Sequence, residues 1–150
     1  MKIRNSMTAK EIAEIIIKAF KEGHMLFLCG NGGSYDLAHH MEEEMICKFV
    51  HMRKPLPALA LKAHTSTAND FGYKYIFSRQ IMAYAKEGDV FIGISTSGKS
   101  ENIFLARDAA KVCKLTVIDF PRKGKTTAKI QEYQLKLMHD ICRTVEEAFI

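Results

Sequence analysis

What the chain lacks narrows it first. Three prolines in 150 residues, with 47% hydrophobic and 26% charged side chains, exclude a disordered or collagen-like chain. No uninterrupted apolar run approaches the roughly 20 residues that cross a bilayer, and the N-terminal MKIRNSMTAKE lacks the apolar stretch of a secretion signal. The expectation is a cytoplasmic protein with no membrane partner. Cys29, Cys47, Cys113 and Cys142 lie far apart without CxxC or zinc-like spacing, which points to reduced thiols and not to a disulfide scaffold. Internal repeats, low-complexity tracts and Pro/Gly/Ser-rich linkers are also missing, so one domain over residues 1–150 is expected.

Charge is present in modest excess. Lysine and arginine number 22 against 17 acidic residues, a net +5 that favours anionic partners without choosing between phosphate and nucleic acid. The densest basic stretch, PRKGKTTAK at 121–129, contains no aromatic residue, unlike the stacking platforms of single-strand binders, and reads first as a solvated loop. No nucleic-acid-binding motif accompanies it, so a nucleic-acid partner ranks behind a small anion.

Periodicity supplies the elements. Thr8 with Glu11 reads as a capping box, followed by Ile12, Ile15, Ile16, Ala19 and Phe20 at helical spacing until Gly23. His24–Cys29 is short and apolar, as in a strand buried on both faces. The unit then recurs: helix from Ser34 to about Lys48, strand Pro57–Leu61, helix from Gly72 to about Lys86, strand Asp89–Ile94, helix Ser100–Cys113, strand Leu115–Asp119, and a last helix from about Thr127 to Phe149. Such alternation predicts an α/β fold of three layers, with a mostly parallel sheet of about four strands between helices on both faces. Ligands of these folds gather at the carboxyl ends of the strands, so the loops after Cys29, Leu61, Ile94 and Asp119 are where chemistry belongs.

Two of those loops are built for anions. Gly30-Asn31-Gly32-Gly33-Ser34 is a glycine-rich turn opening a helix. It matches neither the dinucleotide GxGxxG nor the Walker pattern, so no nucleotide cofactor is expected, and on its own it reads equally as a tight turn. Ser95-Thr96-Ser97-Gly98-Lys99-Ser100 offers four hydroxyls where a helix cap needs one, which favours phosphate. Farther along, HHMEEE places His40 and Glu44 on one helix face and His39 and Glu43 on the next. Either pair could ligate a metal or do acid/base work, or the run could be a solvated face; spacing does not choose. Gln131 and His139 lie about 12 Å apart along an ideal final helix.

The combination resembles the phosphoheptose isomerases of the sugar isomerase (SIS) domain superfamily. The resembling segments are CGNGGS at 29–34, AHHMEEE at 38–44, PLPALAL at 55–61, NDFGYKYIFSRQ at 69–80, GDVFIGISTSGKSEN at 88–102 and KIQEYQLKLMH at 129–139, in the family's order. The resemblance implies an SIS-type fold and an aldose–ketose isomerase that converts sedoheptulose 7-phosphate to D-glycero-D-manno-heptose 7-phosphate for surface polysaccharide. It implies that Ser95, Thr96, Ser97 and Ser100 hold the phosphate, that Asn31, Gly32, Gly33 and Ser34 line the sugar, and that Asn69 and Asp70 contact its hydroxyls. It further implies that Glu44 and His139 are the acid/base pair, that His40, Glu44, Gln131 and His139 form a zinc site, with Gln131 also at the substrate, and that the protein is a homo-oligomer, a tetramer in the family.

The chain also departs from that pattern. It is short before Thr8 and between Asp119 and Lys129, where the family usually has a fifth strand; Ala128 replaces an acidic residue, and Lys48 stands where arginine is common. The rival expectation is therefore a non-catalytic SIS module that binds a sugar phosphate or a replication-initiator protein. Retention of both acid/base positions favours the enzyme.

Overall fold

The computed structural model describes residues 7–150. Helix α1 (Ala9–Lys21) opens on the predicted capping box: the Thr8 hydroxyl accepts from the Glu11 amide and the Glu11 carboxylate accepts from the Thr8 amide. There follow β1 (Leu26–Gly30), α2 (Gly33–Ile46), β2 (Ala58–Ala60), α3 (Thr65–Phe71), a 3-10 turn (Tyr73–Tyr75), α4 (Ser78–Tyr84), β3 (Val90–Ile94), α5 (Glu101–Val112), β4 (Thr116–Asp119) and α6 (Thr127–Glu147). The four strands are parallel in the order β2-β1-β3-β4.

Alternation along each strand feeds two cores. Leu26, Leu28, Val90, Ile92 and Ile94 pack beneath α1, α2 and α6, against Ile12, Ile16, Met41, Leu137 and Ile141. Phe27, Cys29 and Phe91 point the other way, against Phe77, Ile81, Ile103, Ala106 and Ala110. A strand with both faces covered has no solvent side, which is why β1 and β3 read as continuous apolar runs.

One predicted element is corrected. The helix expected from Gly72 to Lys86 is interrupted, because Gly72, at φ +111, ends α3 and does not start a helix. The chain then turns tightly so that Ile76 and Phe77, both buried, reach the second core before α4 begins. Helix α3 itself buries no residue, so no amphipathic period announced it.

Candidate active site

The strand order reverses between β1 and β3: from β1 the chain passes to β2 on one side, and later strands build out on the other. The crevice at such a reversal is where open parallel sheets receive ligands, and both anion-type loops leave the sheet there. A mutual amide pair ties them together. Asn31 Nδ2 donates to Asn102 Oδ1 and Asn102 Nδ2 donates to Asn31 Oδ1, each at 2.8 Å, and the Tyr73 hydroxyl adds a bond to Asn31 Oδ1 at 3.0 Å.

The helices that start at these loops are left open at their positive ends. Thr8 and Thr126 close α1 and α6 with their hydroxyls, whereas Gly32, the N-cap of α2, has no side chain to offer, and Ser100, the N-cap of α5, makes no capping bond. No side chain therefore caps the first turn of either helix, and although the Ser34 amide donates to the Asn31 carbonyl at 2.9 Å, such open positive ends favour an anion. Within the second loop, Ser95 Oγ accepts from the Gly98 amide at 3.0 Å and Ser97 Oγ accepts from the Lys99 amide at 3.1 Å. The hydroxyls thus fold the loop back on itself into a cradle.

On the flank of the sheet, α2 and α6 run side by side and their polar residues converge. His40 Nε2 lies 3.7 Å from Glu44 Oε1, and the His40 and His139 rings meet edge-on with centroids 5.4 Å apart. Ligand atoms of His40, Glu44 and His139 all lie within 4.8 Å of one another. Two imidazoles and a carboxylate at that separation fit a divalent ion bound by three protein ligands with a position left open. Gln131 stands near the entrance: a cavity of about 240 Å³ is lined by Gly33, Ser34, His40, Gln131 and Gln134 among others, and a Cβ on Gly33 would come 2.5 Å from Gln131 Nε2. Close approach of the α6 amide to the glycine turn therefore requires a residue without a side chain.

A buried ion pair holds the two helices together. The side chains of Arg53 and Glu146 are each 1% exposed, with Arg53 Nε 3.2 Å from Glu146 Oε1. The Arg53 guanidinium donates to the carbonyls of Glu44 and Met45, both at 2.7 Å, and so caps the carboxyl end of α2. Glu146, on α6, accepts from the amides of Phe49, Val50 and His51. Burial opposes ionisation of Glu146, but these three donors and the Arg53 charge outweigh it and hold the carboxyl below its ordinary value.

Comparison with known proteins matches this architecture to one family. The family described as SIS domain matches residues 2–120. The chain is 42% identical to the phosphoheptose isomerase of Clostridium acetobutylicum, covering 92% of this chain and 81% of that protein. It is 38% identical to the phosphoheptose isomerase of Aquifex aeolicus, covering 91% and 82%. The chain belongs to the phosphoheptose isomerase family of SIS-domain proteins. Among solved structures, phosphoheptose isomerase GmhA from Neisseria gonorrhoeae superposes with a TM-score of 0.84 at 30% identity over 93% of this chain and 85% of that one. A phosphoheptose isomerase from Francisella tularensis superposes at 0.88 with 27% identity over the same shares. The Clostridium alignment runs over 158 positions, more than the 150 residues available, so that relative carries segments this family member lacks.

Of the residues singled out from sequence, the structure gathers His40, Glu44 and His139 on the α2/α6 flank, with Gln131, Gly33 and Ser34 lining the adjoining cavity. It gathers Asn31, Gly32, Ser95, Thr96, Ser97 and Ser100 at the crevice loops. Asn69 and Asp70 stand on the exposed α3, where their side chains bond to each other at 3.0 Å, instead of at a helix-entry turn. Within HHMEEE the side chains meet different surroundings. His39 Nδ1 donates to the Tyr35 carbonyl and its ring lies on the Tyr35 ring, Glu42 accepts from the Ala60 amide, and Glu43 is exposed. Asn102, Tyr73 and Gln134 escape sequence reading. Gln134, fully buried, donates to the carbonyls of Ser95 and Pro121 at 3.3 and 3.2 Å, and so joins the loops after β3 and β4. A glutamine on a helix carries no spacing signal for such a role.

Proposed function

We propose that this protein isomerises sedoheptulose 7-phosphate to D-glycero-D-manno-heptose 7-phosphate, for surface polysaccharide. The observation that carries the reading is the convergence of Glu44 and His139 from two separate helices. A module that only binds has no physical need for a carboxylate and an imidazole facing each other beside a sugar-sized cavity.

In this reading the uncapped α5 terminus and the hydroxyls of Ser95, Thr96, Ser97 and Ser100 hold the phosphate, while Asn31, Gly32, Gly33, Ser34 and Gln131 line the sugar and Asn69 and Asp70 close over it. Glu44 takes the proton from C1 of the ketose, and His139 gives one to O2, leaving a neutral enediol. The same proton inventory then returns to C2 as O1 loses its own, so no external acid or oxidant enters. His40, Glu44 and Gln131, joined by His139 whenever its ring is not carrying the transferred proton, would hold a zinc ion, whose chemistry would be polarisation of a substrate oxygen. One carboxylate oxygen of Glu44 can face an ion while the other faces carbon, since an ionised carboxylate has acceptor sites on both.

The proposal extends to the molecule: one SIS domain over residues 1–150, working as a homo-oligomer in the cytoplasm. Among the described residues no helix is long and apolar enough to cross a membrane. The test is direct. Purified protein incubated with sedoheptulose 7-phosphate should form the aldose phosphate, and inactivity both with and without added zinc would sink the assignment.

A further inference from the structure

The loop after β4 has a feature the proposed mechanism does not use. Asp119, at the carboxyl end of β4, is shared by two arginines: Arg107 Nη2 lies 3.3 Å from its Oδ1, and Arg122 reaches Oδ1 at 3.3 Å and Oδ2 at 3.4 Å. One carboxylate against two guanidinium groups leaves the trio with an excess positive charge. Arg122 also packs its guanidinium against Gly98 in the hydroxyl loop, since a Cβ built on Gly98 would come within 2.8 Å of Arg122 Cζ. Gly98, at φ +69, donates its amide to Ser95 Oγ, so the residue under the guanidinium is part of the cradle. The placement is fixed from behind by Gln134, which holds the carbonyl of Ser95 and that of Pro121, the residue before Arg122. The neighbouring Lys123 and Lys125 are exposed, whereas Arg122 is half-buried.

We infer that Arg122, oriented by Asp119, is the cationic wall of the phosphate cradle and a specificity residue for a phosphate monoester dianion. The inference rests on reading Ser95–Ser100 as the phosphate site. Hydroxyl and amide donors supply geometry but no counter-charge, and a hydrogen bond or close contact with an ionised donor is roughly twice as strong as a neutral one. Arg107 compensates the Asp119 charge that would otherwise cancel Arg122. The basic loop, solvated elsewhere, thus delivers one cation to the site.

The test is titration calorimetry of inorganic phosphate, and of sedoheptulose 7-phosphate, into the wild type and the variants R122Q, R122K and K123Q, with melting temperatures measured alongside. R122Q should bind both probes about tenfold more weakly, R122K should stay within about threefold of wild type, and K123Q within about twofold. The kcat/KM of R122Q should fall by about the same factor as its affinity, because the phosphate charge does not change during isomerisation and what is lost is binding common to substrate and transition state. R122Q binding phosphate as tightly as wild type would overturn the inference, as would an equal loss in K123Q. Should R122Q fail to fold, R122K decides, and a tenfold loss there overturns it. A wild type that binds neither probe, or a Ser100→Ala variant that binds phosphate undiminished, would instead remove the cradle reading itself and the inference with it.

Discussion

Three consecutive glutamates on α2 do three different things, and the difference is set by what each side chain meets. Glu42 bonds the Ala60 amide of an edge strand, Glu43 meets solvent, and Glu44 faces His40 and His139. Glu44→Gln keeps shape and hydrogen bonding but cannot accept a carbon-bound proton, so turnover should fall more than about hundredfold while the fold and phosphate binding persist. Glu43→Gln, in an exposed position, should leave turnover within about twofold and stability within about 0.5 kcal/mol. Kinetics and melting curves of the two variants side by side check this, and reversed phenotypes would place the reacting group one residue earlier. Spacing alone left His39/Glu43 and His40/Glu44 equivalent, and only the family resemblance favoured the second pair, because helical spacing fixes which residues share a face but not which face meets α6. The Tyr35 carbonyl and ring, which occupy His39 and leave Glu43 facing solvent, are contacts made only after folding.

At the scale of elements, the site depends on the apposition of α2 and α6, and the Arg53–Glu146 pair is its fastener. Removing one partner of a buried pair strands the other charge, so Glu146→Leu should cost about 3–5 kcal/mol. The pair also predicts a pH dependence. Because the folded-state value of Glu146 is depressed, its stabilisation is fully present above the ordinary carboxylate range and is lost as the pH falls through the folded-state value. Wild-type melting temperature should therefore drop on acidification more steeply than that of Glu146→Gln, and parallel curves would show that the carboxylate contributes nothing through ionisation. The elements themselves were largely legible, since α1, α6 and the strands carry strong periodic patterns. The stretch around Gly72 was not, because Ile76, Phe77 and Ile81 fall at helical spacing although a 3-10 turn lies among them. Arg53 and Glu146 were silent for another reason: two charged residues far apart in sequence look solvated until packing buries both.

For the whole molecule, the two cores each hold one buried thiol, Cys29 on one face of the sheet and Cys142 on the other, while Cys47 is exposed. Burial raises both buried thiols far above the usual range, so a thiol reagent at neutral pH should label Cys47 at once and spare these two in the native state. If residues 1–150 form one cooperative domain, Cys29 and Cys142 should become reactive at the same denaturant midpoint, read by mass spectrometry of labelled peptides. Two separate midpoints would mean that the faces unfold independently. Alternating strands and helices made the layered architecture readable in advance, yet the crevice was only half visible: Asn31 and Asn102, 71 residues apart, meet through a bond no local pattern encodes. The strand order has a consequence for how such a protein can vary in length. Both ligand loops leave the inner strands β1 and β3, so residues can be gained or lost beyond β4 without removing a strand the crevice needs. In this chain the connection from β4 to α6 is short enough to lay Arg122 on Gly98, and relatives with longer connections there would have to find that positive charge elsewhere or bind their substrate without it.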